Sequence, residues 1–326
     1  NWKKVSIVII CLLTLGFLLE SGLKFWVKNS LPSFINEKND TPYNFTYSDV
    51  SYSLFARRMT IKGIQISPKI KKKEAYFVTT NRIVIHGVHF LKFFAAKDLI
   101  ADLIEIDAPD IIIKQNPDSI NRKKELTLYK LGNSIQIKNF VINKGKVQLF
   151  NSKNNTKTAS LDNLNIHLSG VVWDVINKEK RIPISYDKAK LSIDKVFYQL
   201  NEIHHINLNS VKLNNGFIET RGILIQPDIS DKEFNNGNYS TKSFMNVKIP
   251  VAKIKNLDWG YDFNGLFYVN TSKIEVDATD ISILGKPEVS SPSKNVTTYI
   301  NRIIPFNLKI DSVQILKSKL NINNHV

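Results

Sequence analysis

Cysteine is almost absent: Cys11 is the single one in 326 residues, and it lies in an apolar run. That excludes a disulfide framework and a thiolate metal site, so the fold must be held by burial and backbone pairing. Glycine and proline are sparse, at 13 and 11, which favours long regular elements over many tight turns. The sequence has no G-x-G-x-x-G, no G-x-x-x-x-G-K, no G-x-S-x-G, no H-E-x-x-H and no D-x-D-x-D-G loop. Nucleotide binding at a glycine-rich turn, serine hydrolysis and zinc or calcium chemistry therefore lack their signatures. An enzyme is not expected, and no cofactor is implied. Helical periodicity is also scarce after the first 35 residues. Phe90–Leu99 has room for about two turns, and Asn256–Asp262 holds the matching place later in the chain, so each is expected to form a short helix or packed loop.

The chain has a net charge of +16, from 45 basic and 29 acidic side chains. Such a balance suits nucleic acid, an anionic membrane surface, or a solvated exterior. The basic residues are scattered rather than gathered into one patch, so no nucleic-acid partner is expected. With 43% hydrophobic and 23% charged residues, the composition is that of a packed protein.

A duplication organises the chain. Ile104–Ile113 (I-E-I-D-A-P-D-I-I-I) returns as Ile274–Ile283 (I-E-V-D-A-T-D-I-S-I), with seven of ten positions identical. Gly63–Glu74 is nearly repeated at Gly222–Glu233, Ile83–Phe93 matches Ile249–Trp259 in its apolar positions, and Ile137–Leu149 matches Ile310–Ile322. The offsets are 222−63 = 159, 249−83 = 166, 274−104 = 170 and 310−137 = 173, a smooth growth of the kind loop insertions produce. Residues 31–200 are assigned to a first repeat unit and 201–326 to a second. Copy one continues past its last anchor to about Leu200, whereas copy two reaches Val326 just after it. The expectation is that this is the amino-terminal part of a longer protein and that the second unit is incomplete.

Val5–Leu19 is uncharged and follows Lys3 and Lys4. Fifteen helical residues rise about 22 Å, short of the roughly 30 Å hydrocarbon core, but continuation through Leu23, Phe25, Trp26 and Val27 brings the helix to spanning length. A cleaved signal peptide is the competing reading. Glu20 stands where a small residue should precede the cut, so an uncleaved signal anchor over residues 1–30 is preferred. Lys3 and Lys4 then place the amino end in the cytoplasm and the remainder outside. Pro32 should end the helix.

Beyond about residue 44 the sequence alternates with period two in short β-branched runs bounded by Asn, Asp, Lys or Gly. This predicts half-buried strands in a long antiparallel meander. Lys69–Glu74, Ser119–Lys124, Asp228–Asn238 and Ser290–Thr298 read as polar connections. Of the histidines, His86 and His89 are replaced in copy two by Ala252 and Lys255, and His204–His205 falls at an expected turn. These and His167 and His325 read as surface or loop residues. Asp107 and Asp110, repeated as Asp277 and Asp280, offer either calcium ligands or a strand-to-strand bend. Aspartate suits the bend because it hydrogen-bonds its own backbone, and no calcium loop surrounds the pair.

Asn81–Ile113 (N-R-I-V-I-H-G-V-H-F-L-K-F-F-A-A-K-D-L-I-A-D-L-I-E-I-D-A-P-D-I-I-I), preceded by the uncleaved anchor, resembles the AsmA-like proteins of diderm bacteria. The family's close, Leu-x-Ile-x-x-Pro-x-Ile-x-Ile, has Pro109 in its proline place, while copy two carries Thr279 there. Ile64–Pro68 and Ile223–Pro227 resemble further closes of that kind. The resemblance implies a mainly β protein: an elongated antiparallel repeated sheet bent into a groove, preceded by one transmembrane helix. It also implies an inner-membrane anchor with the bulk of the chain in the periplasm. Phospholipid is the implied ligand, outer-membrane or periplasmic proteins are implied partners, and the activity is lipid conduction between inner and outer membrane. On this reading the groove is lined by Ile83, Ile85, Ile104, Ile106, Ile111 and Ile113, and by Ile249, Val251, Ile274, Val276, Ile281 and Ile283. The alternative is a non-enzymatic scaffold or assembly factor whose strands close into sandwiches.

Overall fold

The computed structural model of the protein describes residues 21–22, 25, 42–53, 56–70, 74–89, 98–116, 134–174, 184–236, 244–261, 267–284 and 307–323. These residues are almost wholly strand, because the period-two runs of Ile, Val and Leu suit a pleated surface better than any helix face. Strands stack side by side in tiers. β1 (Tyr43–Thr46) and β2 (Asp49–Ser53) lie end to end along β3 (Arg58–Pro68), which pairs with β4 (Ala75–His86). β5 (Asp98–Asp107) and β6 (Asp110–Gln115) share the next tier, followed by β7 (Ser134–Asn151) and β8 (Lys157–Asp174). β9 (Ile184–Ser185), β10 (Lys188–Ile193) and β11 (Lys195–Gln199) run end to end along β8. β12 (His204–Leu208) and β13 (Ser210–Asn214) follow, then β14 (Phe217–Pro227). The tenth tier is β15 (Phe244–Lys255), prolonged by β16 (Asp258–Tyr261). The eleventh holds β17 (Phe267–Thr271), β18 (Lys273–Asp277) and β19 (Asp280–Leu284). The last holds β20 (Asn307–Ile310), β21 (Val313–Leu316) and β22 (Lys319–Asn323). Twelve tiers at about 4.8 Å spacing make a sheet about 53 Å across its strands.

The duplication is visible in the hydrogen-bond register. β3 and β14 occupy equivalent places: Lys62 faces Arg82 in copy one, and Arg221 faces Val251 in copy two. Asp107 faces Asn143, and Asp277 faces Leu316. These pairs carry offsets of 221−62 = 159, 251−82 = 169, 277−107 = 170 and 316−143 = 173. Three sequence anchors agree with the register, and the Ile83 anchor is corrected by three residues, so that Ile83 corresponds to Ala252 rather than Ile249. The five tiers from β1 through β7 recur from β12 through β22, and the Ser48 N–H to Lys62 O bond recurs as Asn209 N–H to Arg221 O. The copies share one sheet, since β11 pairs directly with β12 across the 200/201 boundary.

Other expectations need correction. The sheet is not a pure antiparallel meander: β5 and β6 run parallel to β7, and β17, β18 and β19 run parallel to β20, β21 and β22. Parallel neighbours require the chain to return to its starting edge, and the long intervals after Gln115 and Leu284 supply that return. The predicted connections Ser119–Lys124 and Ser290–Thr298 fall inside those intervals, outside the described residues, as do His325 and most of Phe90–Leu99. Asn256–Asp262 contains strand β16 in place of a helix or packed loop, because Trp259 alternates with polar neighbours and faces Val269. Asp228–Asn238 contains a helical turn, α1 (Asp231–Asn236), started by a reciprocal cap. Ser230 N–H and Oγ–H donate to Glu233 Oε2 at 2.8 Å, and Glu233 N–H donates back to Ser230 Oγ at 3.3 Å. Phe234 of α1 packs on Ile203 and Phe244. The anchor expected over residues 1–30 lies outside the described residues apart from positions 21, 22 and 25. Among the described residues no helix is long and apolar enough to cross a membrane.

Candidate functional site

Two creases run across the stacked tiers and divide them into three panels. The first passes Ser48, Gly63, Asn81, Ala108–Pro109, Lys144–Gly145, Asn163, Asp194, Asn209, Gly222, Pro250, Ala278–Thr279 and Lys317–Ser318, one stop in each tier. Several of these residues are left-handed: Gly63, Ala108, Lys144, Asn163, Gly222, Ala278 and Lys317 have φ between 45° and 63°. The second crease is marked by Gly87, Gly170, Asn215–Gly216 and Asn256, all at positive φ. Short polar side chains fill the space that glycine leaves on the adjacent tier. Ser48 lies against Gly63, Asn209 against Gly222, Asp102 against Gly87 and Asp187 against Gly170. Asp107 and Asp110 flank the first crease, as do Asp277 and Asp280, and no group of three or more metal-binding side chains gathers there among the described residues.

Paired residues in neighbouring strands point to the same face, so register alone sorts the side chains. In the middle panel Ile61 pairs with Ile83, Ile83 with Ile106, Ile106 with Ile142 and Ile142 with Ile166. The row goes on through Leu191, Leu213, Ile218, Ile254, Ile274 and Val313. Ile85 and Ile104 belong to a second such row, and Val276 faces Ala252 and Ile315 on the same side. The opposite face of this panel carries Arg82, Asp107 and Asn143, then His167, Lys190, Lys212, Glu219, Lys253 and Glu275. In the lower panel Ile66, Val78, Ile111, Val147, Leu161, Val196 and Leu208 form one apolar row, with Ile113 beside Leu149. Ile225 and Val247 carry that face to Ile281, and Ile249 pairs with Ile223 on it. In the upper panel the corresponding side chains are Ala101, Ile137 and Val171 in copy one, and Trp259, Val269 and Leu308 in copy two.

The middle panel thus has one apolar and one charged face, whereas the second face of the lower panel mixes Phe77, Ile112, Phe150, Phe197 and Leu224 with polar residues. The apolar rows step by an odd number at the creases: Ile61 to Ile64, Ile193 to Val196, Ile249 to Ala252, Ala101 to Ile104. An odd step reverses the face in a regular strand. A bulge sets two successive residues on one side and cancels the reversal. Gly145 shows this at the first crease. By alternation it belongs with Val147 and Leu149, and a methyl placed on it would lie 3.3 Å from Ile142 Cγ2 in the middle panel and 3.3 Å from Pro109 Cγ. The apolar faces of the lower and middle panels are therefore on the same side.

Of the twelve positions singled out in the sequence, Ile83, Ile85, Ile104, Ile106, Ile274 and Val276 fall on the apolar face of the middle panel. Ile111, Ile113, Ile249, Ile281 and Ile283 fall on that of the lower panel. Val251 does not. It pairs with Arg221 and Asp277 on the charged face, because Pro250 lies at the crease and resets the alternation between Ile249 and Ala252. Sequence reasoning missed Phe140, Ile142, Leu213 and Ile254, whose rows become apparent only when the odd steps are counted as breaks.

Polar groups elsewhere are structural. His204 is buried at 1% exposure, not a surface residue. Met245 N–H donates to its Nε2 at 3.0 Å and its Nδ1 stands 3.2 Å from Asn201 Oδ1, which fixes Nδ1 as the protonated nitrogen. His205 and Asp228 share a short contact at the same rim, joined by Gln226 and Gln199. A cleft of about 470 Å³ on the charged face is lined by Glu219, Arg221, Lys253, Glu275 and Asp277 among others. There Glu275 accepts from Lys273 at 2.8 Å and Lys255 at 2.9 Å. Hydrogen bonds from Lys273 first, then Lys255, hold its carboxyl at about 2. A depressed carboxyl contributes stability that is present above its ordinary value and is lost as pH falls through the folded value. The expected outcome is an NMR titration of Glu275 with its midpoint near 2, moving toward the ordinary carboxylate range in Lys273→Met. Salt should weaken the effect, since both lysines are partly exposed. In copy one the equivalent Glu105 is held by the Asn143 amide at 2.9 Å.

Among the described residues no group of three or more metal-binding side chains gathers on either face. What the described residues form is an apolar surface, continuous over the tiers and backed in the middle panel by a charged one. No protein-family model matches the chain, and no curated protein matches it.

Proposed function

We propose that the chain is a membrane-anchored periplasmic protein that binds phospholipid by its acyl chains in an apolar β-trough and conducts it between inner and outer membrane. The observation that carries this reading is the unbroken apolar row from Ile61 to Val313, which crosses all the intervening tiers. A one-sided apolar sheet has to cover that face with something, and no second layer of described elements lies over it. Tyr52, Ile61, Leu164 and Ile193 of the middle panel and Ile137, Val171 and Trp173 of the upper panel are below 9% exposure on the apolar face, while Val84, Thr60 and Ala75 are as deeply buried on the opposite one. Most other members of the rows remain half-exposed, which leaves apolar surface for a ligand. Each methylene buried there contributes about 0.8 kcal/mol, so a chain of a dozen methylenes gains roughly 10 kcal/mol before ordering costs. The resemblance to AsmA-like proteins supplies the compartment, between inner and outer membrane.

Native mass spectrometry of the full chain released from detergent tests the reading. The expected result is retained phospholipid, in amounts that fall when apolar-face residues are made polar. A chain that retains none, with its apolar face protected from solvent labelling, would favour a closed scaffold instead.

A further inference from the structure

The upper panel has a gap. β9 occupies it beside β8, and β16 occupies it beside β17, but β13 and β14 end at the second crease, joined there by the two-residue turn Asn215–Gly216. Between β9 and β16 two tiers therefore have no strand of the upper panel among the described residues, a span of about 14 Å at the usual spacing. The floor of the gap is pinned. Asn215 N–H donates to Ala189 O at 3.0 Å, Asn215 Oδ1 accepts from Ala189 N–H at 3.2 Å, and Leu257 N–H donates to Gly216 O at 2.7 Å.

What surrounds the gap is unusual for a soluble surface. Ile184 and Trp259 flank it from the apolar face, Tyr186 lies beside Ile184, and Phe217 at the floor shares the charged face, at 44%, 41%, 37% and 37% exposure. Just below, on the charged face, Lys188, Lys190 and Lys212 are exposed and take part in no ion pair among the described residues. The acids nearby are Asp187, turned against Gly170, Glu219, paired with Arg221, and Asp258, so the balance stays basic with Lys253 included. Exposed rings at the rim of an opening, with unpaired lysines on the outer face just below it, suit a bilayer interface, rings at headgroup level and ammonium groups on phosphate.

We infer that this gap is a side portal that docks on the surface of an anionic phospholipid bilayer and opens the trough to it. The inference rests on the trough reading for what passes through, but the docking itself stands on the aromatic and lysine placement alone. The test uses the full chain held in nanodiscs, with Cys11→Ser and a single bimane-labelled cysteine introduced as Tyr186→Cys, Phe217→Cys or Trp259→Cys. Vesicles of phosphatidylcholine with phosphatidylglycerol should shift the emission to the blue at all three sites. Pure phosphatidylcholine should not, and neither mixture should move a label placed by Lys153→Cys at the opposite rim. Replacing Lys188, Lys190 and Lys212 together by glutamine should weaken vesicle binding by about 100-fold. An unshifted emission with anionic vesicles, or an equal shift at position 153, overturns the portal. If the shift is present while acyl chains never reach Ile106, the trough reading fails and the docking surface survives.

Discussion

Aspartate in place of Ile106 or Val276 is expected to cut retained phospholipid by roughly 10- to 100-fold, whereas Glu105→Asp and Glu275→Asp leave it unchanged. Ile106 stands in the middle of the apolar row, between Ile83 on β4 and Ile142 on β7. A carboxylate there must be desolvated or protonated whenever an acyl chain lies over it, at no less than the about 1–3 kcal/mol of an unpartnered neutral polar group, and 1.4 kcal/mol is a tenfold change in occupancy. Val276, between Ala252 and Ile315, is the matching position in copy two. Glu105 and Glu275 are their chain neighbours on the charged face and already carry a carboxylate in water, so their variants keep that charge where it stands while the inward variants bring one under the acyl chain. Thermal unfolding of each variant, measured alongside lipid retention, separates loss of ligand from loss of fold. Equal effects on both faces would contradict a one-sided trough.

Gly87→Ala should be, with Gly170→Ala, among the most destabilising glycine-to-alanine changes of the described residues. Gly87 has φ of 69°, where an L-residue costs about 1–2 kcal/mol. Its new Cβ would fall 2.7 Å from Asp102 Cβ and closer still to the carboxylate. Strain and displacement together should lower stability by about 2–4 kcal/mol, read as a drop in the urea midpoint. Adding Asp102→Gly should recover part of the loss by removing the clash while leaving the backbone strain. Gly145→Ala is the control. Its φ is not left-handed and its nearest neighbours would be at 3.3 Å, so a change below about 1 kcal/mol is expected.

These expectations show which parts of the fold were legible in the chain. The strands were, because alternation of Ile and Val needs no tertiary information. So was the bend at Asp107–Asp110, where the repeat preserves aspartate around a residue that adopts positive φ in both copies, Ala108 and Ala278. The second face assignment was not. Asn163 is of the residue type that, after glycine, takes positive φ most readily, whereas nothing marks Lys144 or Lys317 as left-handed before the tiers are stacked. Val251 was misassigned for this reason, one residue past the crease at Pro250. The signal was nonetheless present in the three-residue steps, Ile61 to Ile64, Ile193 to Val196 and Leu208 to Val211, which no single regular strand can place on one side. Asn215–Gly216 was a hairpin signal of the strongest short-range kind, and it marks the floor of the gap in the upper panel. The parallel seams were hidden because strand direction depends on where a long connection returns, which composition does not record. His204 was misread because its neighbours look like a turn, whereas the small cluster of Ile203, Phe234 and Phe244 buries the site.

The row from Ile61 to Val313 is held to face acyl chains, and the charged side of the same middle panel to face away from them. Site-specific photo-crosslinking in the full chain in its native membrane measures this residue by residue. A photoreactive side chain at Ile106, Ile142, Leu213 or Ile254 should yield phospholipid adducts, and one at Glu105, Val141, Lys212 or Lys253, the adjacent outward positions, should yield none. Adducts at both sets, or at neither, would contradict the account.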